Sequence, residues 1–125
     1  MKVGDKTSWE RTFTKEDVTL FAQVSGDYGI HHLEEDEQGR VMLQGLLTAT
    51  LPTKLGGDLN YIARTLTFEF LRPVFTGDTI RCDNIITSYD VTDGRINMSA
   101  HYTCINQHGK EVLRGDTSGV IFNPR

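Results

Sequence analysis

Residues 41–57 read "VMLQGLLTATLPTKLGG", and their reading decides the fold. Val41, Met42, Leu43, Leu46, Leu47, Ala49 and Leu51 occupy most of a helical wheel. A helix that is apolar nearly all round is buried on most sides. In a chain of 125 residues, something must therefore wrap around it. Pro52 is expected to end or kink this helix unless the local geometry absorbs it, and Gly56-Gly57 to close it.

The second half of the chain supplies the wrapper. "RINMSAHYTCI" (95–105) places Ile96, Met98, Ala100, Tyr102 and Cys104 on one face at period two. "YIARTLTFEF" (61–70) does the same with Ile62, Leu66, Phe68 and Phe70, Arg64 being the exception. "TIRCDNIITSYDV" (79–91) alternates less cleanly. Asp93-Gly94 is a strong hairpin turn, and His108-Gly109 a weaker one before "KEVLRGDTSGVIF". Ahead of the central helix, "SWERTF" (8–13) reads as an edge strand. Thr14 then caps a helix over "KEDVTLFAQVS", with Asp17 in its first turn and Gly26 ending it. Val18, Phe21 and Ala22 share a face of that helix, with Val24 close by. The expectation is an α+β fold of the hot-dog type, a long antiparallel sheet wrapped around a central apolar helix. Its open sheet edge would be covered by pairing with a second copy.

Composition fits a single domain spanning residues 1–125. Hydrophobic residues make up 38% and charged residues 24%, which is too apolar for disorder. The net charge of -4 comes with no long Lys/Arg run, so no nucleic-acid partner is expected. The polar N-terminus lacks the apolar core of a signal peptide, and no apolar run approaches a membrane span. Cys82 and Cys104 read as reduced core residues of a cytoplasmic protein.

The stretch "VSGDYGIHH" (24–32) sets Asp27 and His32 five positions apart, across Gly29. Just past a helix end, this is either a proton-transfer pair or an ordinary polar turn. The run "HHLEEDEQGR" (31–40) is acidic but has no helical His-x3-His spacing, so it reads as a solvated loop and no metal is expected. Leu43, Leu46, Leu47 and Leu51 read as core and not as the lining of a ligand tunnel. Thr48, Thr50 and Thr53 are expected to bond back to their own helix. Arg72 reads as a surface salt-bridge residue, with contact to a ligand phosphate as the alternative.

Taken together, "VGDKTSWERTFTKEDVTLFAQVSGD", His32, the helix with "QGLL" and "FEFLRPVFTGDTI" resemble the MaoC-like dehydratases, which include the (R)-specific enoyl-CoA hydratases. The resemblance runs from about Val3 to Ile80 and more loosely beyond. It implies homodimers or higher homo-oligomers, acyl thioesters of coenzyme A or acyl carrier protein as ligands, and no cofactor. It implies hydration of a trans-2-enoyl thioester or the reverse dehydration. Asp27 and His32 match the acid and the histidine of the family's Asp-x-Asn-Pro-x-His loop, which makes them the catalytic pair. Gly45 matches the glycine of its His-Gly-Met helix start, whose backbone N–H would face the thioester oxygen. Gly29-Ile30 stand in place of Asn-Pro, Gln44 in place of the histidine and Leu46 in place of the methionine. An acyl-CoA thioesterase on the same fold, or a non-catalytic acyl-thioester binder, is the alternative reading.

Overall fold

The structure, a computed structural model, describes residues 1–124. Strand β1 (Lys6–Thr12) leads to helix α1 (Lys15–Ser25) and a 3-10 turn over Ile30–His32. Helices α2 (Gly45–Thr48) and α3 (Thr50–Leu59) follow, then strands β2 (Tyr61–Leu66), β3 (Glu69–Phe70), β4 (Thr79–Thr92), β5 (Arg95–Ile105) and β6 (Glu111–Ile121). The strands form one antiparallel sheet in the order β1-β4-β5-β6-β2, with β3 also paired to β6. The α2–α3 segment lies against this sheet. The Trp9 indole N–H on β1 donates to the Leu51 carbonyl at 3.0 Å, tying the edge strand to the helix.

Local chemistry explains most elements. Thr14 and Asp17 form a reciprocal capping box at the start of α1, and Gly26 closes the helix in the left-handed conformation with its N–H on the Ala22 carbonyl. On β5, the residues from Ile96 to Cys104 at period two are all buried. On β4, Ile80, Cys82, Asn84 and Ile86 are buried, and the alternation ends at a bulge between Ile86 and Ser88. An extra residue switches which face later side chains take. Asp93 and Gly94 both have positive φ, the requirement of a type I′ hairpin turn. Cys82 and Cys104 are buried, free and directly opposite in the β4–β5 register.

Five expectations need correction. Residues 41–44 are not helical. Val41–Leu43 run extended against residues 74–76, with Leu43 N–H donating to the Val74 carbonyl and Thr76 N–H to the Val41 carbonyl. The helix begins at Gly45, breaks at Ala49 and passes through Gly56 and Gly57 to Leu59, where Asn60 takes the left-handed cap. The break puts Pro52 in the first turn of α3, where its missing N–H is tolerated. Leu46 is exposed, unlike Leu43, Leu47 and Leu51. Val24 is 88% exposed and takes no part in the buried face of α1.

The fifth correction concerns residues 61–70. They form two strands, and Ile62, Leu66 and Phe70 are largely exposed. A bulge between Ala63 and Thr65 breaks the alternation, and the gap between the two strands at Thr67 has its cause across the sheet. Tyr102 on β5 stands opposite Gly115 on β6. Its hydroxyl passes over that glycine and donates to the Thr67 carbonyl at 2.6 Å. A Cβ on residue 115 would sit 1.7 Å from the Thr67 oxygen. Thr67 is thus drawn out of strand alignment over a position only glycine can fill.

Candidate active site

The backbone now explains how the two site residues meet. Asp27 follows the Gly26 cap, and its Oδ1 accepts the Gly29 N–H at 3.2 Å, closing a small turn. The 3-10 turn is held by His32 N–H on the Gly29 carbonyl, and by Leu33 and Glu34 N–H on the Ile30 carbonyl. A Cβ on residue 29 would lie 2.9 Å from the tip of the exposed His31 ring, which would have to swing aside, and the residue has no unusual φ. His31 and His32 then lie with ring centroids 3.9 Å apart.

His32 is buried, and its Nδ1 stands 2.7 Å from the Met42 carbonyl oxygen. A carbonyl only accepts, so Nδ1 carries the proton and donates it. This fixes the tautomer and leaves Nε2 as the acceptor of the neutral ring. Nε2 faces Asp27 Oδ2 at 3.6 Å, with the carboxylate half-exposed. The extended 41–44 segment has a use here: pairing with residues 74–76 presents the Met42 carbonyl to the ring.

Both residues line a cleft of about 660 Å³, shared with Ser25, Met42, Gln44, Gly45, Leu46 and Phe70. Its far wall is the segment Phe70–Val74, which follows the kink at Thr67. Gly45 is the first residue of α2, so its N–H is among those without an intrahelical partner. A Cβ on residue 45 would meet the Phe70 ring at 2.8 Å, which gives this glycine a packing reason as well. Gln44 is 1% exposed. Its side-chain N–H donates to the Val18 carbonyl at 3.1 Å, joining α2 to α1, while its Oε1 has no partner.

The remaining sequence candidates take other places. Leu46, expected in the core, lines the cleft. Arg72 also lines it, and donates to the Glu111 backbone carbonyl at 2.7 Å instead of pairing with a carboxylate. Thr50 and Thr53 donate to the Leu47 and Thr50 carbonyls. In the acidic run, the Asp36 carboxylate accepts from the Gln38 and Arg40 backbone and from the Arg40 side chain. These bonds, the Arg40 backbone N–H first, hold its pKa below the usual carboxylate value. Phe70 was not singled out as a cleft residue by the sequence, and Gln44 only as the residue in place of the histidine. The glycine at position 115 was the available signal that the strand carrying Phe70 departs from regularity.

No protein-family model matches the chain, and no curated protein does. Solved structures do. The unliganded R-hydratase PhaJ1 from Pseudomonas aeruginosa is 25% identical, with a TM-score of 0.80, over 95% of this chain and 81% of that one. The (R)-hydratase from A. caviae involved in PHA biosynthesis is 23% identical, with a TM-score of 0.84, over 98% of both chains. A MaoC-like dehydratase from Rhodospirillum rubrum is 18% identical, with a TM-score of 0.75, over 98% of this chain and 94% of that one. The chain has the hot-dog fold of the MaoC-like, (R)-hydratase type.

Proposed function

We propose that the chain is a hydratase/dehydratase acting on enoyl or 3-hydroxyacyl thioesters, with Asp27 and His32 as its acid–base pair. One observation carries the reading. Two acceptors, Asp27 Oδ2 and His32 Nε2, face each other at 3.6 Å on a cleft that also holds the free helix start at Gly45. Two acceptors do not bond to each other, so the arrangement suits one water donating a hydrogen to each.

The chemistry follows from that water. Its oxygen attacks C3 of the enoyl thioester as one of the pair removes a proton. Negative charge moves through C2 to the thioester oxygen, where the Gly45 N–H donates to it. The proton is then returned to C2 from the same face, and H and OH have been added syn. Dehydration runs the same steps backwards. The likeness to solved (R)-hydratases supports the reaction class.

The same reading takes the working unit to be a homodimer in the cytoplasm, with coenzyme A or acyl carrier protein presenting the acyl group. Exposed Ile62 and Leu66 on the free edge strand β2 support the pairing. Two unpaired cysteines suit a reducing compartment. No helix among the described residues is long and apolar enough to cross a membrane. The test is to give purified protein crotonyl-CoA and follow loss of the enoyl absorbance, with free thiol release measured in parallel. Hydration abolished by Asp27→Ala is expected. Unchanged activity in that variant rules out the acid–base assignment, and thiol release in place of hydration makes the protein a thioesterase.

A further inference from the structure

The Phe70 ring lies directly against the start of α2. Three of its carbons fall within 2.8–3.1 Å of where a Cβ on Gly45 would be, so the ring rests on the Gly45 Cα. A group that accepts the Gly45 N–H therefore lies in the part of the cleft that Phe70 walls. The ring also begins an aromatic row. Phe70 and Phe68 have centroids 6.2 Å apart, and Phe68 and Tyr102 5.6 Å apart. Tyr102 lines a second, smaller cavity of about 180 Å³, walled by Pro52, Leu55, Tyr61 and Leu66 along the same α2–α3 segment. The aromatic row thus stands between the cleft and this second apolar space beside the central helix.

We propose that Phe70 is the wall that sets acyl length at this site, restricting it to short linear acyl thioesters. This rests on the thioester lying at Gly45, as in the function proposed above. A tail longer than a few carbons would have to run past Phe70 and Phe68 to reach the second cavity. Phe70 sits on the two-residue strand β3, which pairs with Leu113 and Arg114, and is 53% exposed. Truncating it therefore enlarges the cleft without removing a core residue.

The experiment is calorimetric titration of wild type, Phe70→Ala and Phe70→Leu with butyryl-CoA and octanoyl-CoA, ligands whose binding needs no turnover. Wild type is expected to prefer butyryl-CoA. Because one methylene in an apolar pocket is worth about tenfold or more, Phe70→Ala is expected to shift the butyryl/octanoyl affinity ratio toward octanoyl by about tenfold or more. Phe70→Leu should shift it less, in the same direction. Should either variant fold poorly, affinities across a four- to eight-carbon series in wild type decide alone, since the wall requires a maximum at the short end. Wild type favouring octanoyl-CoA, a ratio unchanged in folded variants, or no binding of either thioester overturns the proposal. Hydration of crotonyl-CoA separates the two readings. Its absence with the length preference intact removes the hydratase reading and leaves the wall, whereas hydration with an unchanged ratio does the reverse.

Discussion

Replacing Asp27 by Asn tests the proposed chemistry with little change of shape. The Asn Oδ1 can keep the Gly29 N–H that closes the turn, a bond of 3.2 Å in the native protein. The other end of the side chain changes from acceptor to donor. It faces His32 Nε2 across 3.6 Å, and that nitrogen is an acceptor because Nδ1 gives its proton to the Met42 carbonyl. A small rotation lets the amide N–H bond the ring directly. The variant thereby loses the carboxylate and fills the space of the water held between the two groups. Positioned acid–base groups contribute about 10²–10⁴-fold, or about 2.7–5.4 kcal/mol of barrier. Stability should barely move. The Asp27 carboxylate is half-exposed and beyond hydrogen-bond distance of the ring, and such pairs are worth about 0–1 kcal/mol. The expected result is therefore a split: kcat for crotonyl-CoA hydration falls by about 100-fold or more, while Tm changes by about 4 °C or less. Activity within about threefold of wild type refutes the water-holding geometry. A collapse of Tm would make Asp27 a structural residue whose loss of activity says nothing about chemistry.

Three further outcomes follow from the fold. Gly115→Ala places a Cβ against the Thr67 carbonyl and endangers the bonds Thr67 makes with Tyr102 and Asp116. It should cost about 3 kcal/mol or more in urea unfolding, whereas Gly57→Ala, in open space within α3, should gain about 0.5–1 kcal/mol. The Tyr102 phenol is pushed up to about 12 by burial, with the Asp116 carboxylate adding to it. A folded pKa above the unfolded value means stability is complete below about pH 10 and declines as pH rises toward 12. Tyr102→Phe should flatten that part of the alkaline unfolding profile, leaving the smaller contribution of Tyr61, whose pKa burial also raises. Gln44→Leu removes a donor to Val18 together with a buried oxygen that has no partner. Its urea midpoint should correspond to a change within about 1 kcal/mol of wild type, and a loss beyond twice that would mean Oε1 has a partner in solution.

What was legible in the sequence depended on how local its cause is. The capping box of α1, the one-sided burial of β5 and the Asp93-Gly94 turn each arise within a few residues, and each appears where the pattern puts it. The loss of alternation on β4 had a local cause as well, the bulge after Ile86. The failures arise from contacts far along the chain. "VMLQ" is apolar enough for either a helix or a strand, and pairing with residues 74–76 decides for extended backbone. "YIARTLTFEF" looks like one strand until Tyr102 reaches over Gly115 to take the Thr67 carbonyl. Spacing drew notice to Asp27 and His32 as a proton-transfer pair or a polar turn, and the structure brings them together on a cleft; the tautomer of the ring was not legible, because the Met42 carbonyl that sets it belongs to the misread segment.

The altered loop is the sharpest case of sequence and structure speaking to each other. Where the resembling hydratases use Asn-Pro, this chain has Gly29-Ile30, and losing the proline frees two backbone positions at a cost of roughly 1 kcal/mol. The structure holds the loop by other means. Gly26 N–H bonds Ala22, Gly29 N–H bonds the Asp27 carboxylate, and His32, Leu33 and Glu34 N–H bond the carbonyls of the 3-10 turn. Each such bond contributes about 0.5–1.5 kcal/mol, so a few of them offset the lost rigidity. The His31 ring fills the space that a side chain at position 29 would take. On the far side, Asp36 gathers the Arg40 and Gln38 donors into a tight turn, and the chain then enters the extended segment that carries the Met42 carbonyl. The connection between His32 and Gln44 is thus anchored at the imidazole by the Met42 carbonyl, which accepts the Nδ1 proton, while Nε2 stays open toward the Asp27 carboxylate. Pre-organisation that the resembling sequences place in one proline ring is here spread over a set of hydrogen bonds converging on His32.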